Sequence, residues 1–255
     1  MRYSVKLSYS GAAFCGWQRQ PDAPSVQQAL EEAISTLTGA PVSVTGAGRT
    51  DTAVNAIGYV ASFEAREGLD TPDFCYKLNA ILPAEICVHE VAVRDDEFNA
   101  RFSARRREYC YFLHRRKDPF IASYSYLYGY PNLDFDAMNR AAEALLGTHD
   151  FSCFEKSGSD NKTSVCTVFE AGWHPYVPTH LALMGPEAAG GYWYFRIAAD
   201  RFLRNMVRAV VGTLLEVGRG KRSADSIAAL LDSGTRSDSG ESVPGHALFL
   251  SRIDY

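Results

Sequence analysis

The stretch that decides the reading of this chain runs Val42-Ser43-Val44-Thr45, then Gly48-Arg49-Thr50-Asp51-Thr52-Ala53-Val54, then Ile57-Gly58-Tyr59-Val60-Ala61-Ser62-Phe63. The first segment is β-branched and apolar, as a short strand is. In the last, Ile57, Tyr59, Ala61 and Phe63 alternate as in a half-buried strand. Asp51 therefore sits on a polar loop between two strands, flanked by Thr50 and Thr52 and close to Arg49. An aspartate in such a connection commonly serves the turn itself. A lone carboxylate presented by a rigid scaffold also suits a nucleophile or base. A phosphate-binding loop is excluded, because such a loop opens a helix and here a strand follows.

Working outward, the periodicity predicts strand 2–10, helix 25–38, strands 42–46 and 56–64, helix 72–81 and strand 86–94. Ser25 follows Pro24 as a helix N-cap with Gln28 at the capping-box position, and Gly39 before Pro41 ends that helix. This order, β-α-β-β-α-β, is the ferredoxin-like unit. An extended run over 104–114 opens a second half. Helix 134–146, strands 164–176 and 191–198, helices 203–217 and 224–232, and a last strand at 246–252 follow. The expected class is α+β, with two ferredoxin-like lobes, 1–103 and 104–255, joined antiparallel sheets and a central cleft. In that cleft Asp51 would meet Tyr109 and Arg208. The polar, Gly/Ser-rich stretches 155–163 and 233–242 are expected to be least ordered.

Composition narrows the function. The chain has 255 residues and a net charge of −4. Between Arg101 and Lys117, seven basic residues face only Glu108, a local +6; between Arg196 and Arg222, seven face Asp200 and Glu216, a local +5. The remainder then carries −15. Two arginine-rich runs interleaved with Tyr109, Tyr111, Phe112 and Phe202 favour a nucleic-acid partner, RNA above all. The six cysteines are scattered with no C-x-x-C pair, which argues against a disulfide framework or a zinc site and for mostly buried thiols. No apolar run approaches membrane-spanning length and no signal-peptide core opens the chain, so a cytoplasmic protein without membrane contact is expected.

Several ordered motifs carry a resemblance. They are Tyr9-Ser10-Gly11, Gly16-Trp17-Gln18-Arg19-Gln20, Gly48-Arg49-Thr50-Asp51, Leu78-Asn79-Ala80-Ile81-Leu82-Pro83, Phe98-Asn99-Ala100-Arg101-Phe102-Ser103-Ala104, Tyr109-Cys110-Tyr111 and Asn205-Met206-Val207-Arg208. Together they resemble the bacterial tRNA pseudouridine synthase A family. The resemblance implies the pseudouridine synthase fold and isomerisation of uridine to pseudouridine at positions 38, 39 and 40 of the tRNA anticodon stem-loop. Asp51 resembles the family's catalytic aspartate, Tyr109 the residue packed on the target base, and Arg208 the arginine paired with the aspartate. Arg49, Phe98, Asn99, Ala100, Arg101, Phe102, Arg105 and Arg106 fall in segments expected to bind substrate.

The reaction breaks a glycosidic bond, turns the base and rejoins it through carbon, with no redox change, so no cofactor and no metal are implied. The resemblance also implies a homodimer contacting the anticodon stem-loop and elbow of tRNA. Where the family loop continues G-R-T-D-A-G-V-H, this chain has Thr52, Ala53 and Asn55, and Glu108 stands for an arginine. A non-catalytic RNA-binding module, or a pseudouridine synthase with another RNA target, would share much of this pattern.

The +6 and +5 runs make a prediction despite the acidic total. Affinity for tRNA should fall by about a hundredfold or more between 50 and 200 mM salt, because each neutralised phosphate releases counterion. A binding constant nearly flat over that range, measured by filter binding, would make these arginines ordinary surface residues.

Overall fold

Alternation along Arg2–Tyr9 buries Tyr3, Val5, Leu7 and Tyr9 and exposes Lys6, which is what a strand covered on one face requires. The structure is a computed structural model and describes residues 1–158, 161–183 and 190–255. It divides into two compact units, Met1–Arg107 with Phe249–Tyr255, and Glu108–Leu248.

In the first unit the elements are β1 (Arg2–Tyr9), α1 (Val26–Thr38), β2 (Val44–Gly46), β3 (Asn55–Glu64), α2 (Thr71–Ile81) and β4 (Ile86–Arg94). β1 lies between β4 and β3, antiparallel to both. Its cross-strand partners on β3 include Phe63 for Tyr3, Ala61 for Val5 and Tyr59 for Leu7. β2 pairs with β3 at Val44↔Phe63, giving the order β4-β1-β3-β2 expected of the ferredoxin-like unit. The Ser25 hydroxyl caps α1 by accepting from Gln28 N at 3.3 Å, and Gly39 closes the helix at φ 73°. Val26, Leu30 and Ile34 form its fully buried stripe, and burial of each of these side chains contributes about 2 kcal/mol. A row of stacked rings, Tyr3–Phe63 at 5.5 Å and Phe63–Phe74 at 6.2 Å, ties the sheet to α2. Asn79 of α2 grips β4 through both of its amide atoms, donating to Val88 O and accepting from Val88 N, each at 2.8 Å.

The last strand, β10 (Leu248–Asp254), departs from the expected arrangement. Expected with the second lobe, it runs parallel to β3 through Phe249↔Asn55 and Leu250↔Ala56. Arg105 N donates to Asp254 O at 2.8 Å and Tyr255 Oη to Ala100 O at 2.9 Å, so the chain end is stitched to the segment before β5.

The second unit carries β5 (Arg106–His114), β6 (Tyr126–Leu127), α3 (Phe135–Glu143), β7 (Gly147–Asp150), β8 (Val165–Pro175), α4 (Thr179–Ala182), β9 (Tyr192–Ala199), α5 (Met206–Gly218) and α6 (Ser226–Ser233). Its strands are ordered β5-β9-β8-β7, with β6 parallel to the end of β5. α3 stops three residues short of the expected 146 because its last turn tightens, and Gly147 opens β7 instead. α5 begins at Met206 rather than 203, since Asn205 adopts φ 66° and cannot continue a helix. It is buried nearly all round rather than along one stripe, as expected of a helix enclosed by its own unit.

The segment 233–242 is not loose. Arg236 donates to Ser239, Gly240 and Ser242, and Gly240 N donates to Thr213 Oγ1 at 2.9 Å. Of 155–163, Ser159 and Asp160 lie outside the described residues. Among the described residues no helix is long and apolar enough to cross a membrane.

Apart from Asn205, one described residue other than glycine has positive φ: Ala53, at 63°. Val54 N donates to Asp51 O at 3.1 Å, closing a four-residue turn with Ala53 at its third position, a place that favours glycine. Replacing Ala53 by glycine is expected to raise the unfolding free energy by about 0.5–1 kcal/mol. The check is thermal or denaturant unfolding, and an unchanged or lower midpoint would show that the backbone there carries no strain.

Candidate active site

The connection from β2 to β3, residues 47–54, is built onto three aromatic side chains. Trp17 stacks on Tyr59 with ring centroids 4.1 Å apart at 28°, and Tyr9 meets Tyr59 edge-on at 5.6 Å and 61°. All three rings are buried. The Tyr59 hydroxyl donates to Gly48 O and accepts from Gly48 N at 3.4 Å. The Tyr9 hydroxyl shares a 2.9 Å hydrogen bond with Thr50 Oγ1. The loop is thus held on both sides of Arg49, at Gly48 and at Thr50, the residue immediately before Asp51.

Two glycines make this close packing possible. A Cβ on Gly46 would collide with the Tyr59 hydroxyl and the Trp17 indole. Gly16 has φ 91°, and a Cβ there would strike Thr50 O, which instead accepts from Trp17 N at 3.3 Å. The Gly16-Trp17-Gln18-Arg19-Gln20 segment is therefore the bed of the Asp51 loop. Arg19 is tied to Glu31 of α1 at 3.0 Å, and the same carboxylate accepts from Gln27 at 3.0 Å and from Val44 N at 3.1 Å.

Asn55 is buried, and its Oδ1 accepts from Gly11 N at 2.8 Å. In this chain the residue at that position joins the end of the loop to the chain after β1. Asp51 itself is half-buried, Thr50 buried, and Arg49 exposed with its Nε donating to Gln18 at 3.1 Å.

The Phe98–Ala104 segment is a second organised loop of the same unit. Asn99 Oδ1 accepts from Arg101 N at 2.9 Å and Phe102 N at 3.1 Å, and Asn99 N donates to Ser103 Oγ at 3.0 Å. Ala100 is fully buried, its N–H donated to Ser62 Oγ at 3.2 Å. Phe98 lies between the Arg94 guanidinium, 5.2 Å from its ring, and Tyr255 at 5.0 Å. These three residues shape the turn, while Arg101 and Phe102 are displayed on it. Phe102 is 78% exposed, with the Arg101 guanidinium 5.4 Å from its ring. Arg105 is exposed and Arg106 half-buried.

Arg107, in sequence one more charge of the basic run, links the two loops. It donates to Ala47 O at 3.0 and 3.2 Å, to Arg101 O at 2.6 Å and to Ala104 O at 3.3 Å. Read as one more charge in a basic run, it gave no signal of this bridging.

In the second unit, β5 alternates as expected: Tyr109, Tyr111 and Leu113 are buried, with Cys110 and Phe112 half-buried between them. Tyr109 packs edge-on against Phe202 at 5.0 Å and 85°. Arg208, half-buried on α5, donates from Nε to Val243 O at 2.7 Å and accepts from Val243 N at its own carbonyl at 3.2 Å. Asn205 donates to Ser242 at 2.6 Å, and Tyr111 Oη to Pro244 O at 3.1 Å, so residues 242–244 are fastened beside both elements.

The thiols divide. Burial pushes Cys153 up to about 11 and Cys166 up to about 12, which keeps both protonated and unreactive at neutral pH. Cys15, Cys75 and Cys110 are only half-buried and Cys87 is exposed, so the expectation of mostly buried cysteines holds for two of the six. Among the described residues no group of three or more His, Cys, Asp or Glu side chains is placed to hold a metal ion.

The first unit presents one carboxylate on a braced loop and an exposed Arg-Phe pair on a neighbouring loop, and the second unit carries Tyr109 on β5 and Arg208 on α5. These parts fit nucleotide chemistry. The sequence model of a family described as tRNA pseudouridine synthase matches residues 7–103 and 141–255. The chain is 45% identical over 258 residues to the tRNA pseudouridine synthase A of Porphyromonas gingivalis, covering 100% of this chain and 97% of that protein. With the protein of the same name from Acetivibrio thermocellus it shares 40% over 255 residues, 99% of each chain. With that of Bacillus subtilis it shares 37% over 259 residues, 100% of this chain and 99% of the other. On a family match that covers both the Asp51 loop and the Arg208 helix, this chain belongs to the tRNA pseudouridine synthase family.

Proposed function

We propose that the chain isomerises uridine to pseudouridine at positions 38, 39 and 40 of the tRNA anticodon stem-loop, with Asp51 as the nucleophile. The observation that carries this reading is the Asp51 loop. It holds a single half-buried carboxylate beside an exposed arginine, on a turn fixed by buried hydroxyls. A protein that only bound RNA would gain nothing from a carboxylate facing phosphates. Attack at C6, attack at C1′ and removal of the C2′ proton each need a carboxylate of this kind.

A paired uridine must first leave its stack, at a cost of a few kcal/mol. In this reading the Tyr109 ring offsets that cost by stacking on the base, worth about 1–3 kcal/mol. The edge-on contact with Phe202 keeps the ring upright. Arg208 supplies a guanidinium to the Asp51 carboxylate, and its Nε bond to Val243 fixes the direction of the side chain. Arg49, Arg101, Arg105 and Arg106 contact phosphate, and Phe102 offers a ring to RNA. Phe98, Asn99 and Ala100 serve binding by holding the turn that displays Arg101 and Phe102. A cytoplasmic homodimer gripping the stem-loop and the elbow of one tRNA completes the proposal.

The test is Asp51→Asn, with pseudouridine mapped on an unmodified tRNA transcript and no cofactor added. The variant should form no pseudouridine, a loss of about 10⁴-fold or more, while tRNA affinity holds or rises slightly as repulsion falls. Turnover near the parent rate would end the nucleophile assignment. Loss of folding in the variant would show that Asp51 serves the turn.

A further inference from the structure

We propose that Tyr59, together with Tyr9, is a positioning residue of the reaction. Its hydroxyl holds the 47–54 loop in the one conformation that aims the Asp51 carboxylate, and that conformation is strained at Ala53. The inference rests on the reading of Asp51 as the reacting group.

Tyr59 is fully buried on β3. A tyrosine there needs a partner for its hydroxyl, and the hydroxyl bonds both the carbonyl and the amide of one loop residue, Gly48. The ring cannot turn away, because Trp17 lies flat on it at 4.1 Å. The absence of a side chain at Gly46 leaves the space into which the hydroxyl and the indole reach. On the far side of Arg49, the Tyr9 hydroxyl holds Thr50. Beyond Asp51 the buried Asn55 Oδ1 accepts from Gly11 N at 2.8 Å and anchors the end of the loop, and between the two anchors the backbone is less comfortable. Ala53 N reaches Phe14 O at 3.4 Å, and Ala53 has φ 63°, a conformation that disfavours every residue with a Cβ. A loop with an unfavourable residue between its anchors relaxes when either anchor is lost. The two phenol groups supply the anchor before Asp51, and a carboxylate misplaced by about 1 Å loses about a hundredfold in rate.

The experiment measures single-turnover pseudouridine formation with excess enzyme on an unmodified tRNA transcript, beside tRNA binding and a thermal melt, for five proteins. These are the parent, Tyr59→Phe, Tyr9→Phe, Tyr59→Phe with Ala53→Gly, and Asp51→Asn. Tyr59→Phe keeps the stacked ring and loses the hydroxyl's grip on Gly48. It should slow the saturated rate about tenfold or more while the tRNA Kd moves less than about twofold. Adding Ala53→Gly should restore about threefold or more, because glycine holds the turn without strain. Tyr9→Phe should show a smaller loss of the same kind, and it carries the test alone if Tyr59→Phe gives no cooperative melt.

Tyr59→Phe at the parent rate with Asp51→Asn inactive would overturn the positioning role and leave the catalytic reading standing. Equal losses of rate and of tRNA affinity would also overturn it, since they would mark a general packing role. A double variant no faster than Tyr59→Phe would break the link to Ala53. An Asp51→Asn protein as active as the parent would remove the reading on which the inference rests.

Discussion

The Trp17–Tyr59 stack is the contact on which the 47–54 loop of the first unit is built. Loops at functional sites are ordinarily the least stable parts of a protein, yet a carboxylate that reacts needs fixed geometry. This chain meets both demands by building the loop from the core outward. The stacked rings belong to the buried interior, and the Tyr59 and Tyr9 hydroxyls reach up from it to the loop. Buried hydroxyls hold their partners firmly because breaking such a bond leaves an unsatisfied polar group, at about 1–3 kcal/mol. That figure is comparable with the strain that Ala53 introduces, so the loop stays in place despite it.

Charge is arranged with a similar division of labour. Arg107 and Arg208 bond backbone carbonyls, at Ala47, Arg101, Ala104 and Val243. They set loop positions from within. Arg49, Arg101 and Arg105 are exposed and suited to phosphates, contacts that position RNA without reading its sequence. Segments of the same composition thus divide between arginines that bond loop carbonyls and arginines left exposed.

Much of this was legible in the sequence, and the reasons are local. β1, α1, β3, α2 and β4 carry a full period of apolar residues, and Ser25 and Gly39 punctuate α1 as helix caps do. The Asp51 loop stood out because strands on both sides left it nowhere else to go. The alternation of Tyr109, Cys110 and Tyr111 also read correctly. What escaped was non-local. The parallel pairing of Phe249 and Leu250 with β3 leaves no periodic mark on residues 246–252. β6 and β7 are too short to show a period. Asn205 delays α5 by a left-handed residue that an apolar stripe does not reveal. Tyr59 read as one more inward strand residue, although a tyrosine on the core face, opposite a glycine-ended strand, was a sign that its hydroxyl had a partner. Arg107 was hidden among its charged neighbours.

The central claim is that the loop is set before RNA arrives. Backbone amide hydrogen exchange on the protein alone and with tRNA tests it most directly, read at Trp17, Gly48 and Val54, whose N–H groups donate to Thr50 O, the Tyr59 hydroxyl and Asp51 O. The account predicts that these amides are protected in the RNA-free protein, within about tenfold of the β3 amides, and change little when tRNA binds. Exchange at the rate of an unstructured chain in the free protein, with protection appearing only on tRNA binding, would contradict it and make RNA, not the aromatic stack, the element that orders the site.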